Sequence, residues 1–179
     1  MLSYAWNPVK INPHGTIEYR GFGMNKLSTL FGPSTMFKFT LKNIQQNYQR
    51  VIPLDMDLKE SFRVENNLLF VPGFSDVTRL QKYAAYEGLK NKEVYNYTKN
   101  FFKFARTVTS ENYLPLLDPV KNMLESKKTT SDRIMEYFKR KGFKNKITES
   151  AAKEGAIKFS NDFKKDLIKI KETIDRIEH

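Results

Sequence analysis

Apolar positions along this chain change their period close to the amino terminus. From Thr16 to Arg20 they alternate, with Ile17 and Tyr19 on one side and Thr16, Glu18 and Arg20 on the other. That is the two-residue period of a strand, and Thr16, Ile17 and Tyr19 favour extended backbone. The pattern predicts a short strand over residues 15–20. One face packs, and the other presents a carboxylate beside a guanidinium. Residues 1–13 contain Pro8 and Pro13 and read as an irregular or extended lead-in. Gly21 and Gly23 loosen the chain after the strand.

The period then becomes helical. "NKLSTLF" opens a helical run that Gly32–Pro33 is expected to interrupt, with Ser34 capping a new start. Phe37, Leu41, Ile44 and Tyr48 recur at helical spacing, and this helix should end near Arg50, ahead of Pro53. "SFRVENNLLFVPGF" is the other extended segment, a hairpin whose turn is Glu65-Asn66-Asn67. Ser75 is the expected cap of the next helix, with Asp76 in its first turn and Val77, Leu80 and Ala84 on its apolar face. That helix should stop at Gly88 or Asn91. Aromatic-rich "KEVYNYTKNFFKFARTV", then "SENYLPLLDPVKNMLES" and "TSDRIMEYFKRKG", continue the helical series, the last stopping at Gly142.

From about Thr148 the chain reads as one long helix. Its stripe of Phe163, Leu167, Ile170, Ile174 and Ile177 steps by four, three, four and three. Such a stripe suits docking on the chain's own domain, and its alternative is a self-association seam. No internal repeat or low-complexity tract is present. The fold class expected is α+β: a small antiparallel β element within about residues 1–73, then a mainly α-helical bundle over about 74–179 with a long carboxy-terminal helix. At 179 residues this makes a single domain.

Composition supports a packed core, with 40% hydrophobic residues, fourteen Phe and nine Tyr. No apolar run is long enough to span a bilayer, so no membrane partner is expected. Cysteine is absent, which excludes disulfides and thiolate metal sites. The amino terminus lacks the pattern of a signal peptide, and the expectation is a cytoplasmic protein. A net charge of +11 attracts anionic partners. Basic clusters such as "FKRKGFKNK" at 138–146 match no nucleic-acid motif, so specific nucleic-acid recognition is not expected.

Few catalytic patterns survive inspection. His14 and His179 cannot form a paired imidazole site at any standard local spacing. There is no G-x-S-x-G elbow, no Walker-type loop and no G-x-G-x-x-G fingerprint. Glu18 and Arg20 remain. A carboxylate can hold a hard divalent cation, and an arginine two residues away can grip a phosphate oxygen. The same pair also occurs on the solvent faces of ordinary sheets, where it adds little.

The surrounding stretch, "WNPVKINPHGTIEYRGFGMN", resembles a segment of the carboxylate–amine ligase family that includes bacterial glutamate–cysteine ligases. There a strand of pattern G-T-[IVL]-E-[VFY]-R leads into an R-x-x-D-x-N turn. Gly15, Thr16, Ile17, Glu18, Tyr19 and Arg20 match the strand. Ala85, Gly88 and Leu89 are similar to a later family helix, and the 131–143 segment with the long helix after it is similar to the family's carboxy-terminal end. The resemblance implies ATP-dependent phosphorylation of a glutamate carboxylate and its displacement by an amine, with ATP and Mg2+ as cofactors. It implies Glu18 as a metal ligand, Arg20 as the catalytic contact to the transferring phosphate, and Arg20 and Asn25 as cofactor-binding residues. Gly23 stands where the family turn carries Asp, and the chain looks like the carboxy-terminal portion of such a ligase. Three readings are compatible with these features. The first is an inactive ligase remnant, alone or as a homo-oligomer. The second is one subunit of a split ligase completed by a missing amino-terminal partner chain. The third is a basic helical module for anionic partners.

Overall fold

A computed structural model of the chain describes residues 9–11, 17–19, 27–55, 58–143 and 146–178. The fold is α+β and mainly helical. Strands β1 (Val9–Ile11) and β2 (Ile17–Tyr19) form an antiparallel pair. Helix α1 (Leu27–Asn47) follows, then β3 (Arg50–Leu54), β4 (Arg63–Glu65) and β5 (Leu68–Pro72). The remaining helices are α2 (Phe74–Tyr86), α3 (Lys92–Val108), α4 (Asp118–Ser126), α5 (Thr130–Arg140) and α6 (Glu149–Glu178). A 3-10 segment, Glu111–Leu117, leads into α4. No helix among the described residues is long and apolar enough to cross a membrane.

Of the strand expected over 15–20, Ile17–Tyr19 is described, and its partner lies upstream at Val9–Ile11, in the lead-in expected to be irregular or extended. Val9 pairs with Tyr19, Lys10 with Glu18 and Ile11 with Ile17. The "ENN" hairpin forms between β4 and β5, where Asn66 and Asn67 both take positive φ, 47° and 61°. Two successive left-handed residues make the turn whose twist matches that of the flanking strands, and Asn tolerates that conformation better than most residues.

Two expectations are corrected. First, α1 runs unbroken through Gly32–Pro33. Ser34 caps nothing, and its hydroxyl donates to the Leu30 carbonyl within the helix at 2.9 Å. Tertiary contact outweighs the local breaker. A Cβ on Gly32 would come within 2.7 Å of Val120 Cγ2 and 3.1 Å of the Leu116 carbonyl, so α1 presses closely on the start of α4 at this point. Second, the extended segments are not confined to the two that the sequence offers. Residues 50–54 form β3, which lies parallel to β5 at the sheet edge, where proline's missing N–H costs no interior hydrogen bond. The second sheet, in order β3-β5-β4, is therefore mixed.

Ser75 is also not the cap of α2. Gly73 holds that position, and the Ser75 hydroxyl donates to Asp55 Oδ1 at 2.6 Å. Leu80 is buried on this helix as expected, Val77 is half-buried, and Ala84 is exposed. Helix α3 begins where its sequence pattern does. Asn91 caps it by accepting from the N–H groups of Glu93 and Val94 at 3.0 and 3.2 Å.

The core centres on Met36 of α1, Leu80 of α2, Val94, Phe102 and Ala105 of α3, Leu117, and Val120 and Leu124 of α4. Phe62 joins the small sheet to this body. Its ring stacks on Phe101 and Phe104 with centroids 5.0 and 5.6 Å away. It does so with φ at 65°, a conformation that bulky side chains rarely adopt. Of the stripe on α6, Ile170 is buried and Ile174 and Ile177 are half-buried, whereas Phe163 and Leu167 remain exposed. Docking thus accounts for the second half of the stripe alone.

Candidate functional site

The first candidate is the β1–β2 hairpin. Glu18 is the middle residue of β2, opposite Lys10 in the ladder. Arg20, Gly23 and Asn25 lie outside the described residues. Among the described residues no three His, Cys, Asp or Glu side chains lie together as potential metal ligands.

The second candidate was not foreseen from the sequence. A cleft of about 350 Å³ lies between the start of α1, the starts of α4 and α5, and the second half of α6. Helix α6 runs against α1 and the 111–117 segment, which sets one wall. Asp166, Lys169, Thr173 and Arg176 step by three, four and three, with Ile170 beside Lys169, so one face of α6 lines the cleft. Arg133 contributes from α5 and Lys128 from the α4–α5 connection, opposite Ser28 and Thr29 of α1.

Four cationic side chains line this space, Lys128, Arg133, Lys169 and Arg176, against two carboxylates, Asp118 and Asp166. Asp166 is committed to α1. Its Oδ2 accepts from the Ser28 N–H at 2.9 Å and its Oδ1 from the Ser28 hydroxyl at 2.5 Å. It thereby satisfies a donor that the first turn of α1 would otherwise leave unpaired. Lys128 is paired with Glu136 at 2.7 Å, and its hydrogen bond holds that carboxyl below the ordinary range of a glutamate. Arg176 donates from Nε to the Glu172 carbonyl at 3.1 Å. Arg133, Lys169 and Arg176 make no ion pair among the described residues.

The wall formed by α5 is fixed by its first turn. Thr129 accepts from the Asp132 N–H, and Asp132 accepts from the Thr129 N–H at 2.9 Å, a reciprocal cap. Lys90 donates to the same carboxylate at 2.7 Å. Hydrogen bonds from Lys90 first, and then Thr129, hold the Asp132 carboxyl well below the usual range. The result is a rigid, partly sheltered site with a surplus of positive charge, suited to an anion. The one sequence signal that points to it is the polar spacing 166, 169, 173, 176, which lies beside the more conspicuous apolar stripe.

No family model matches this chain, and no curated protein or solved structure matches it either.

Proposed function

We propose that the chain is a carboxylate–amine ligase-like protein that is inactive by itself, a remnant that keeps the helical fold. One observation carries this reading. The motif Gly15–Arg20, whose central residues form β2, supplies a single carboxylate, Glu18, and the turn after it has Gly23 where the family's pattern has Asp. Mg2+ bound with ATP needs several oxygen ligands from protein and phosphates, and positioning ATP, glutamate and an amine together needs more groups than Glu18, Arg20 and Asn25. The chain mixed with ATP, Mg2+, glutamate and cysteine should release no ADP above the protein-free rate. Steady turnover by the purified chain would sink this reading.

A second reading, one subunit of a split ligase, is favoured by the hairpin itself. Among the described residues β1 and β2 each have one partner strand, which leaves an edge of each for another. Two three-residue strands are also marginal in isolation. ADP release that needs a co-purifying chain would establish it. A third reading, binding of anionic partners, is favoured by the cationic cleft.

A further inference from the structure

We propose that the cleft between α1, α5 and α6 binds a small organic ligand through its phosphate group. The inference rests on the anionic-partner reading and narrows it to one site and one chemistry.

Elsewhere several of the cations that face other elements are paired. Lys90 meets Asp132, Lys141 meets Glu154, and Arg79 bridges Asp76 and Glu93. Arg133, Lys169 and Arg176 face a common cleft without such partners among the described residues. Lys169 and Arg176 are seven residues apart on one helix face, about 10 Å along the axis, and Arg133 approaches from a different helix. Like charges gathered around a partly sheltered space repel one another, and a bound anion relieves that repulsion.

The two carboxylates do not fill this role. Asp166 turns both oxygens to Ser28. Asp118 sits in the first turn of α4, where the helix dipole favours it.

The type of anion follows from the donors. One arginine can satisfy a carboxylate through two parallel hydrogen bonds. Three cationic groups arriving from two helices suit a tetrahedral group with more oxygens and a double charge. The hydroxyls of Thr29 and Thr130 add neutral donors, and Met123 and Ile170 offer apolar surface to an organic remainder. The volume of about 350 Å³ falls in the lower part of the small-ligand range and is far too small for a folded partner.

Phenyl phosphate is a suitable probe. Titrated into the full chain at low salt and followed by amide NMR, it should give saturable shifts at Ser28, Thr130, Arg133 and Thr173. Arg133 and Lys169 are exposed, so Arg133→Ala with Lys169→Ala should leave the fold intact, as circular dichroism would check. The double variant should bind about tenfold more weakly or worse. The charge-matched control Lys42→Ala with Lys103→Ala, on exposed positions of α1 and α3, should bind like the parent. Absence of saturation, shifts spread over all lysine-bearing helices, or equal weakening in both variants overturns the proposal. A parallel titration with a fluorescent oligonucleotide separates the broader reading. Binding of the oligonucleotide alike by the parent and both variants, with no phenyl phosphate binding, removes the cleft but leaves the anionic-partner reading. Binding of neither removes both.

Discussion

Helices α3 and α6 are both long and amphipathic, yet they are held in opposite ways. Over 17 residues α3 buries Val94, Phe102 and Ala105 and lends Phe101 and Phe104 to the stack around Phe62. Over 30 residues α6 buries Ala151, Gly155, Ile170 and Thr173. Its attachment is divided. Near its start, Gly155 lies under the Phe138 ring and Lys141 pairs with Glu154 at 2.6 Å. Near its end, Ile170 and Thr173 pack and Asp166 grips Ser28. Between these points Ile157 is 65% exposed and Phe163 40%. A continuous apolar face makes α3 part of the global core, whereas two separate clamps make α6 a strut whose ends can loosen independently.

The sharpest way to break the contrast is at α3. Phe102→Ala should cost about 3–5 kcal/mol of global stability, read as a fall in the urea midpoint with all probes moving together. Gly155→Val comes next. A Cβ at this position would lie 2.7 Å from the Phe138 ring, and overpacking there should cost about 1–3 kcal/mol. Hydrogen exchange should rise mainly over residues 149–160, and a uniform rise across α3 would contradict the division into clamps. Asp166→Asn weakens the distal clamp by about 1 kcal/mol, visible as faster exchange in the first turn of α1.

A pH titration gives a smaller effect. The hydrogen bond from Lys141, and secondarily its charge, hold the Glu154 carboxyl below its usual value of 4.5. A group whose folded value is depressed stabilises above its unfolded value and loses that contribution as pH falls through the folded one. Protection at the start of α6 should therefore be steady above about pH 5 and decline below about pH 4, more shallowly in Glu154→Gln. Smallest of all, Ile168→Ser should change stability by less than about 0.5 kcal/mol. A larger, concentration-dependent loss would mean that a second copy covers this face.

How much of this was legible in sequence differs by region for physical reasons. Helix α3 could be bounded at Lys92 and Val108 because its cap, Asn91, and its periodicity are local signals. The β4–β5 turn was readable for the same reason, since two asparagines suit two left-handed positions. Helix α1 was misjudged where long-range packing overruled a proline, and strand β3 was not among the extended segments expected. Pro33 is carried by the close contact of Gly32 with Val120, and Pro53 by its place on a sheet edge. The cleft draws residues from around positions 28, 118–133 and 166–176. No local pattern joins these segments, and only the fold brings them together. The Glu18 and Arg20 pair stands on sequence resemblance alone; Glu18 lies in β2, and Arg20 is outside the described residues.

The bond between Ser28 and Asp166 joins residues 138 positions apart. During synthesis, α1 emerges from the ribosome long before the carboxylate that completes its first turn. The buried flank of α1 can pack on α3 and α4 as soon as those segments are made, but its amino-terminal turn stays open until the segment around Asp166 has been released. The order of events is thus written into one hydrogen-bonded pair. The helical body can assemble progressively, and α6 then latches onto α1.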